Sequence, residues 1–203
     1  MEEFYATAPD PFGFDTLPHE RERYRRTLEL VGPGPFARAL ELGCSEGSFT
    51  ALLAPCCTEL VAVDVSATAV ERCRQRLAAQ TGVQCLVATL PDGLPGGTYD
   101  LVLVSDVAVY WPAAGLPAAV QRLRAMLRPG GVLLAMHYRR DLGIGATAEQ
   151  VHDQLTSGLA GLAHEVDERP DDLGPVEQGR RAGYRIDRWR VPAAGVVAPS
   201  TEA

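Results

Sequence analysis

The sequence predicts an α/β fold: a doubly wound, mostly parallel seven-stranded sheet with an antiparallel C-terminal edge strand. Strand-like apolar runs alternate with helical patterns over residues 36–137, the order expected of right-handed β-α-β crossovers. The runs 101–104 and 132–136 are continuously apolar, as in strands buried on both faces of a parallel sheet. Residues 181–191 instead alternate roughly between apolar and charged side chains, which fits an antiparallel edge strand or hairpin.

The chain divides into three predicted segments. Residues 1–17 are rich in proline, glycine and aromatic residues without periodicity, and predict an N-terminal loop or lid. Residues 18–191 would form the main domain, which begins with a helix over 18–31 that has a proline in its first turn. Residues 192–203 have the composition of a disordered tail.

Strands and helices alternate after the first helix. The predicted strands are 37–42, 60–64, 83–88, 99–105 and 131–137, and the helices between them are 47–54, 67–80 and 115–127. Ser66 precedes the second of these helices and predicts its N-cap, and a turn over 128–131 leads from the third into the fifth strand. A helix near 147–160 and strands over 162–167 and 182–191 complete the pattern.

Composition narrows the function classes. The chain has 203 residues, 46% hydrophobic, and a net charge of −7, which suits one globular domain and disfavours nucleic acid as a partner, because that needs a basic face. No run approaches the ~20 apolar residues of a membrane span, and the acidic residues 1–4 do not resemble a signal peptide. The five cysteines lack metal-like spacing. We expect a reduced cytoplasmic protein without a metal site or a membrane partner.

A glycine loop follows the first predicted strand and reads Glu41-x-Gly43-x-Ser45-x-Gly47. The glycines allow close backbone approach, and the helix after the loop offers free N–H groups to a ligand. The pattern departs from the dinucleotide fingerprint, since a serine replaces the middle glycine and an acid precedes the loop. An acid there suits a cationic ligand, and the next strand ends on Asp64, which predicts a ribose ligand.

At these residues the sequence resembles the class I S-adenosylmethionine (SAM)-dependent methyltransferases, whose first motif is acid-x-Gly-x-Gly/Ser-x-Gly. The resemblance continues through 61–66, 99–107 and 127–134, which are similar to the second, fourth and fifth motifs. It implies SAM as the cofactor and S-adenosylhomocysteine as its product. The cofactor-binding residues that we predict are Tyr24, Glu41, Gly43, Cys44, Ser45, Gly47, Asp64, Val65, Thr89, Leu90 and Ser105.

The resemblance implies a role for most of these residues. Glu41 would lie close to the SAM amino group, and Cys44 and Ser45 would present their backbone to the methionine part. Asp64 would accept both ribose hydroxyls, Val65 would pack on the adenine, and Thr89 and Leu90 would flank it. A loop-packing role for the Cys44 side chain is favoured over that of a nucleophile, since no histidine is near it in sequence.

Finer features resemble the nodulation protein S methyltransferases. Residues 10–14 and 20–24 are similar to their lid and first helix, and 110–111, 137–139 and 151–152 also resemble that branch. Founding members N-methylate the free amine of a deacetylated chitooligosaccharide, which implies a small-molecule acceptor, such as an amino sugar or a glycosylated natural product. Departures at His19, Asp106 and 88–89 bear on the acceptor more than on SAM.

Methyl transfer to an amine needs an aligned, unprotonated acceptor, so a proton acceptor near the cleft is useful. The predicted catalytic residues are Asp106 and Tyr110 after the fourth strand, His137 at the end of the fifth strand, and His152 on the following helix. They lie at or near the carboxyl edge of the sheet, where α/β proteins bind ligands.

Three other functions remain open from the sequence. An O-methyltransferase of a natural product belongs to the same class, although hydroxyl methylation usually requires a stronger base or a metal. A SAM-binding module without catalysis belongs to another class and predicts an occluded acceptor cleft. A nicotinamide oxidoreductase is disfavoured by Glu41 and by the missing third glycine. The sequence makes no prediction of the oligomeric state.

Overall fold

The structure is a computed structural model that describes residues 1–171, 176–177, 180–181 and 183–193. Its strands are β1 (Phe36–Leu42), β2 (Cys57–Asp64), β3 (Val83–Val87), β4 (Tyr99–Ser105), β5 (Leu127–Tyr138), β6 (Ala163–Glu168), β7 (Val176–Glu177), β8 (Arg180–Arg181) and β9 (Tyr184–Arg190). Its helices are α1 (Glu2–Thr7), α2 (Pro18–Val31), α3 (Ser48–Leu53), α4 (Ala67–Arg76), α5 (Leu116–Ala125) and α6 (Ala148–Gly158).

Seven strands form one sheet in the order β3-β2-β1-β4-β5-β9-β6, and β7 and β8 form a separate antiparallel pair. The first five strands are parallel, and β9 runs antiparallel to both β5 and β6. The predicted doubly wound α/β class is confirmed. The strand order reverses between β1 and β4, so the connections that follow these two strands turn to opposite faces and leave a crevice at their carboxyl ends.

β4 explains the continuously apolar strand pattern. Its successive residues point to opposite faces. Val102 and Val104 enter the apolar layer that includes α5 and α6, whereas Leu101 and Leu103 enter the layer that includes α2 and α3. All four are 0% exposed, and full burial stabilises a side chain of this kind by about 1.5–3 kcal/mol. The core therefore lies on both sides of the sheet, and polar residues collect at the strand ends.

The structure corrects the predicted N-terminal loop, because residues 2–7 form α1. This helix has six residues and no side-chain cap at its start, so its formation depends on tertiary contacts that no local pattern reveals. Glu2 supplies two of them by accepting hydrogen bonds from the hydroxyls of Ser66 and Thr68 at the start of α4. Ser66 also caps α4 as predicted, since its hydroxyl accepts a hydrogen bond from the Ala69 amide at 3.1 Å.

The C-terminal strand does not lie at the sheet edge. β9 pairs with β5 on one side and β6 on the other, so β6 is the edge strand. β5 also begins at Leu127 rather than at 131, because Leu127 pairs with Tyr99 before the register shifts between β4 and β5. α4 ends four residues before the predicted position, since Leu77 leaves the helical conformation. Most of the predicted disordered tail lies outside the described residues.

Candidate active site

A cleft of about 490 Å³ occupies the crevice at the carboxyl ends of β1 and β4. Ten of the eleven predicted cofactor residues line it, together with two of the four predicted catalytic residues. The cleft residues among those predictions are Tyr24, Glu41, Gly43, Cys44, Ser45, Asp64, Val65, Thr89, Leu90, Ser105, Asp106 and Tyr110. The glycine loop and Asp64 lie toward one part of this cleft, which we call the cofactor end, and Asp106 and Tyr110 define the acceptor end.

The glycine loop is held by the neighbouring strand. The Gly43 and Cys44 amides both donate to the Val63 carbonyl, at 2.8 and 3.0 Å. Gly43 has a φ of +85°, and a Cβ there would lie 2.8 Å from the Cβ of Val107. A side chain at this position would thus meet both backbone strain and a clash. The loop can therefore approach a ligand closely only with glycine at 43.

Gly47 has a different role from the one predicted. It does not line the cleft, and a Cβ on it would lie 2.7 Å from the Cys73 sulfur, so it permits the start of α3 to pack against α4. Cys44 is 3% exposed and packs with Cys73 and Cys85 behind the loop, which fits the predicted packing role of its side chain. Burial of the Cys44 thiol contributes to a raised pKa of about 11, so a nucleophilic thiolate is disfavoured.

Asp64 ends β2 inside the cofactor end. Its two carboxylate oxygens accept hydrogen bonds from the amides of Ser45 and Ser66, at 2.9 and 3.0 Å. Each oxygen has a further lone pair, so this carboxylate is oriented by the backbone and can still accept hydroxyl donors. Burial raises its pKa above the ordinary value. This arrangement fits the paired hydroxyls of a ribose.

Glu41 is a buried acidic group of the cleft with an unpaired oxygen. It is 1% exposed, and its Oε2 atom has no hydrogen-bond partner among the described residues. Burial raises its pKa to about 7 and the nearby Asp64 adds to the shift, although the Thr50 hydroxyl acts in the opposite direction. A buried carboxylate of this kind is stabilised by a cation. The residues present therefore fit the ammonium group of SAM.

Three of the cleft residues are those predicted to contact adenine. Val65, Thr89 and Leu90 follow β2 and β3 and all line the cleft. Val65 is 46% exposed, which is high for an apolar side chain, and a planar ring packed on it would cover it.

Asp106 is the acidic group of the acceptor end. It has a φ of +49°, which is rare for a residue other than glycine, and its Oδ1 atom accepts from the Tyr138 amide at 2.7 Å. Its Oδ2 atom accepts from Arg23 at 3.2 Å. Burial raises its pKa to about 6, although Arg23 acts in the opposite direction. The strained backbone thus presents a carboxylate that can exchange a proton near neutral pH.

Arg23 and Glu20, which are not among the predicted site residues, support Asp106 from α2. Arg23 is 1% exposed, forms an ion pair with Glu20 at 2.5 Å and packs over the rings of Tyr24 and Tyr184, at 4.6 and 5.3 Å from their centres. A signal was present, since Arg23 lies four and eight residues before Thr27 and Val31 on a buried helix face. An arginine on that face requires buried acidic partners.

Tyr110 is carried into the acceptor end by a 3-10 turn, Ala108–Tyr110, that follows β4. It is 36% exposed, and burial of the rest raises the pKa of its hydroxyl. The next residue, Trp111, also lines the cleft but is 3% exposed. Tyr110 is therefore the aromatic surface of this turn that an acceptor can reach.

The prediction that His137 and His152 act at the cleft is wrong. Both are 0% exposed and neither lines the cleft. His137 points away from it and contacts His152 at 3.0 Å, while its other ring nitrogen accepts from the Ala108 amide at 3.3 Å. Burial lowers the pKa of His137 well below its ordinary value. The sequence placed the residue correctly at the strand end, but the face to which it points depends on the packing of α6.

Residues of the N-terminal segment, which we predict to act as a lid, also line the cleft. Tyr5, Phe12 and Phe14 line it, and the ring centres of Phe12 lie 5.7 and 5.4 Å from those of Tyr5 and Phe14. The Tyr5 hydroxyl donates to the Ser45 hydroxyl at 2.8 Å, so the lid is attached to the glycine loop itself. No group of histidine, cysteine and acidic side chains suited to a metal occurs in the described part of the chain. The helices found there include none with the length and apolar character of a membrane span.

This fold and cleft define a class I SAM-dependent methyltransferase, and a methyltransferase-domain family model matches residues 40–133. Nodulation protein S of Bradyrhizobium diazoefficiens is 33% identical over 148 residues, which cover 70% of this chain and 71% of the relative. The chain belongs to the nodulation protein S (NodS-like) family of SAM-dependent methyltransferases. Nodulation protein S of Sinorhizobium fredii is 36% identical over 61% of this chain, which spans 58% of that relative.

A solved structure agrees with this assignment. The crystal structure of the N-methyltransferase NodS from Bradyrhizobium japonicum, in complex with S-adenosylhomocysteine, superposes with a TM-score of 0.81 at 28% sequence identity. The match covers 94% of this chain and 96% of the other. The agreement therefore extends well beyond residues 40–133, which the family model matches.

Proposed function

We propose that this protein transfers the methyl group of SAM to an amino group of a sugar or another small molecule. The observation that carries the proposal is Asp106, a partly exposed carboxylate whose pKa of about 6 lies near neutrality at the acceptor end. It can take a proton from a protonated amine. The similarity to an N-methyltransferase supports the same choice of acceptor atom.

The cofactor end supports the first half of the reaction. Glu41 would hold the ammonium group of SAM, Asp64 would hold its ribose hydroxyls, and the backbone around Gly43 and Cys44 would face its methionine part. When bound, SAM supplies a methyl group on a positively charged sulfur. The two carboxylates match that charge, and the Asp64 carboxylate is oriented before binding, so little reorganisation is needed.

The acceptor end supports the second half. Asp106 would receive a proton from the acceptor ammonium, which leaves the nitrogen lone pair free for in-line attack on the methyl carbon. A nitrogen–carbon bond then forms, the carbon–sulfur bond breaks, and the sulfur keeps the bonding electron pair. Arg23 keeps Asp106 in place during this exchange, and Tyr110 offers a flat surface to the acceptor.

The lid would keep water from the reacting atoms. Its aromatic residues Tyr5, Phe12 and Phe14 lie over the cleft, and a water-poor site strengthens each electrostatic contact within it. The same exclusion favours the neutral amine, the form that reacts.

A methyltransferase assay against a panel of acceptors tests the proposal. S-adenosylhomocysteine release is measured with glucosamine, a mono-deacetylated chitooligosaccharide and a set of hydroxylated natural products. We expect turnover with an amine, and mass spectrometry should place the added methyl on nitrogen. Turnover with hydroxyl acceptors alone would overturn N-methylation in favour of O-methylation. SAM binding without turnover of any acceptor would indicate a non-catalytic SAM-binding module.

A further inference from the structure

Four buried groups form a hydrogen-bonded chain behind the acceptor end. It begins at the Ala108 amide, which donates to Nε2 of His137 at 3.3 Å. Nδ1 of His137 lies 3.0 Å from Nε2 of His152, and Nδ1 of His152 lies 2.5 Å from the Asp187 carboxylate. His137, His152 and Asp187 are all 0% exposed. No step of the proposed reaction uses them.

This series of hydrogen bonds allows only one arrangement of protons. An amide N–H can only donate, so Nε2 of His137 must accept, and a neutral imidazole then carries its proton on Nδ1. That proton is donated to Nε2 of His152, which in turn must carry its own proton on Nδ1 and donate it to Asp187. The depressed pKa values of both histidines favour these neutral forms. The carboxylate pKa of Asp187 is lowered by its hydrogen bonds to His152 and His164, although burial opposes this.

The sheet and α6 hold the hydrogen-bonded histidines and Asp187 in place. His137 on β5 lies opposite Arg185 on β9, and Asp187 lies opposite Ala135, so these side chains share the face that α6 covers. The Nε atom of Arg185 donates to Asp187 at 3.0 Å, and its Nη1 atom pairs with Glu149 and Asp153 of α6. His164 of β6 contacts the second Asp187 oxygen at 2.6 Å.

The far end of the chain meets the turn that carries Tyr110. The first N–H groups of a helical turn lack intrahelical partners, and Val107 provides no side-chain cap here. The Ala108 amide is buried, so it needs an acceptor, and His137 is the one it has. In the sequence, the Ala108 amide lies between Asp106, the proposed proton acceptor, and Tyr110, which lines the acceptor end of the cleft.

We propose that His137 and His152 are positioning residues that hold the 108–110 turn, and with it Tyr110, through a proton chain anchored on Asp187. The proposal rests on the proposed function for the consequence in turnover, but not for the geometry. Neither imidazole contacts the acceptor or SAM. The pair acts through the Ala108 amide, whose position sets where Tyr110 lies in the cleft.

The proton arrangement is measurable without any acceptor. In ¹⁵N-labelled protein, NMR should find both imidazoles neutral with their protons on Nδ1, and those two protons should exchange slowly with solvent. Detection of an Nε2 proton on His137 would overturn the proposal, because that tautomer cannot accept from Ala108. His164, which is partly exposed and lies beyond Asp187, serves as the internal comparison and should exchange faster.

Two substitutions at 137 separate the contact with Ala108 from the contact with His152. His137→Gln can place an amide oxygen near the Nε2 position and keep the acceptor for Ala108, whereas His137→Asn reaches only the Nδ1 position and loses it. We expect the Trp111 indole resonance to shift in His137→Asn and to remain in place in His137→Gln. Equal shifts, or none, in the two variants would contradict a positioning role.

Kinetics with the mono-deacetylated chitooligosaccharide give the functional readout. A displacement of ~1 Å can cost about a hundredfold in rate, so kcat/KM for the acceptor should fall by about tenfold or more in His137→Asn and be largely rescued in His137→Gln. The SAM dissociation constant should be unchanged in both. Loss of stability in both variants with wild-type kcat/KM would show a structural role only. An inactive wild-type protein would refute the proposed function, and the NMR measurements would still decide the geometry.

Discussion

The two ends of the cleft are built differently. At the cofactor end, Asp64 is oriented by two backbone amides within a short stretch of chain, and Glu41 is left with an unpaired oxygen. At the acceptor end, Asp106 is held by Arg23 from a distant helix. The cofactor end therefore keeps its negative charge for a cationic ligand, while the acceptor end is largely neutralised by the protein itself. We therefore expect the cleft to recognise SAM mainly by charge, and the acceptor mainly by shape and proton exchange.

The largest effect should come from removing the proton acceptor. Asp106→Asn keeps the shape and one of the two accepted hydrogen bonds, from Arg23 or from the Tyr138 amide. It cannot take a proton near neutral pH, and general-base catalysis contributes about 10²–10⁴-fold. We expect kcat for an amine acceptor to fall by about a hundredfold or more, with SAM affinity unchanged. Asp167→Asn, at an exposed carboxylate of β6, is the matched control. A parallel loss of SAM affinity would mean that the two ends are not independent.

Asp64→Ala should weaken SAM binding at the cofactor end of the cleft. It removes two ribose contacts, and hydrogen bonds to charged groups contribute about 1.5–3 kcal/mol each, so SAM affinity should weaken by about a hundredfold or more. Calorimetric titration with S-adenosylhomocysteine measures this directly. The control is Asp167→Ala, and an unchanged dissociation constant in Asp64→Ala would remove Asp64 from the cofactor site.

The pH dependence of SAM affinity tests the role of Glu41 at the cofactor end. Its pKa of about 7 in the free protein should fall when an ammonium group binds beside it, because the cation favours the ionised form. SAM affinity should therefore rise as pH increases toward 7 and level off just above it, until the SAM amino group itself loses its proton at higher pH. Glu41→Gln should weaken binding by about tenfold just above pH 7 and abolish the rise. Glu59→Gln, on the exposed part of β2, should leave the whole profile as in the wild type.

The smallest effect should come from the lid contact. Tyr5→Phe removes the hydrogen bond to Ser45 and little else, which corresponds to about 0.5–1.5 kcal/mol, or a few-fold loss of SAM affinity. Deletion of residues 1–16 should weaken SAM binding and turnover together by more than this. If the deletion leaves SAM affinity intact, the segment does not close over the cofactor.

The same contrast explains what the sequence could predict. Glu41, Gly43 and Asp64 lie within one β-α-β unit, so a local pattern was enough to predict residues that the structure places together in the cleft. Only Gly47 proved to pack against α4 instead of facing the ligand. Local patterns also predicted the doubly wound sheet and most element bounds, but not α1, whose stability depends on tertiary contacts.

The acceptor end could be predicted only in part. Asp106 and Tyr110 follow β4 directly, so the sheet edge placed them correctly. His137 occupies the equivalent place after β5, yet the alternation of the strand turns it under α6. Arg23 lies 83 positions from Asp106 in sequence, and only the docking of α2 brings them together. A contact of that kind leaves no local signal beyond a charged residue on a buried face.

The attachment of the lid to the glycine loop also has a kinetic consequence. Because Tyr5 bonds to Ser45 across the cofactor end, SAM must enter before this contact closes, whereas the acceptor can approach beside Tyr110 afterwards. Substrates would then add in a compulsory order, with S-adenosylhomocysteine released last. Product inhibition by S-adenosylhomocysteine should accordingly be competitive toward SAM and noncompetitive toward the acceptor.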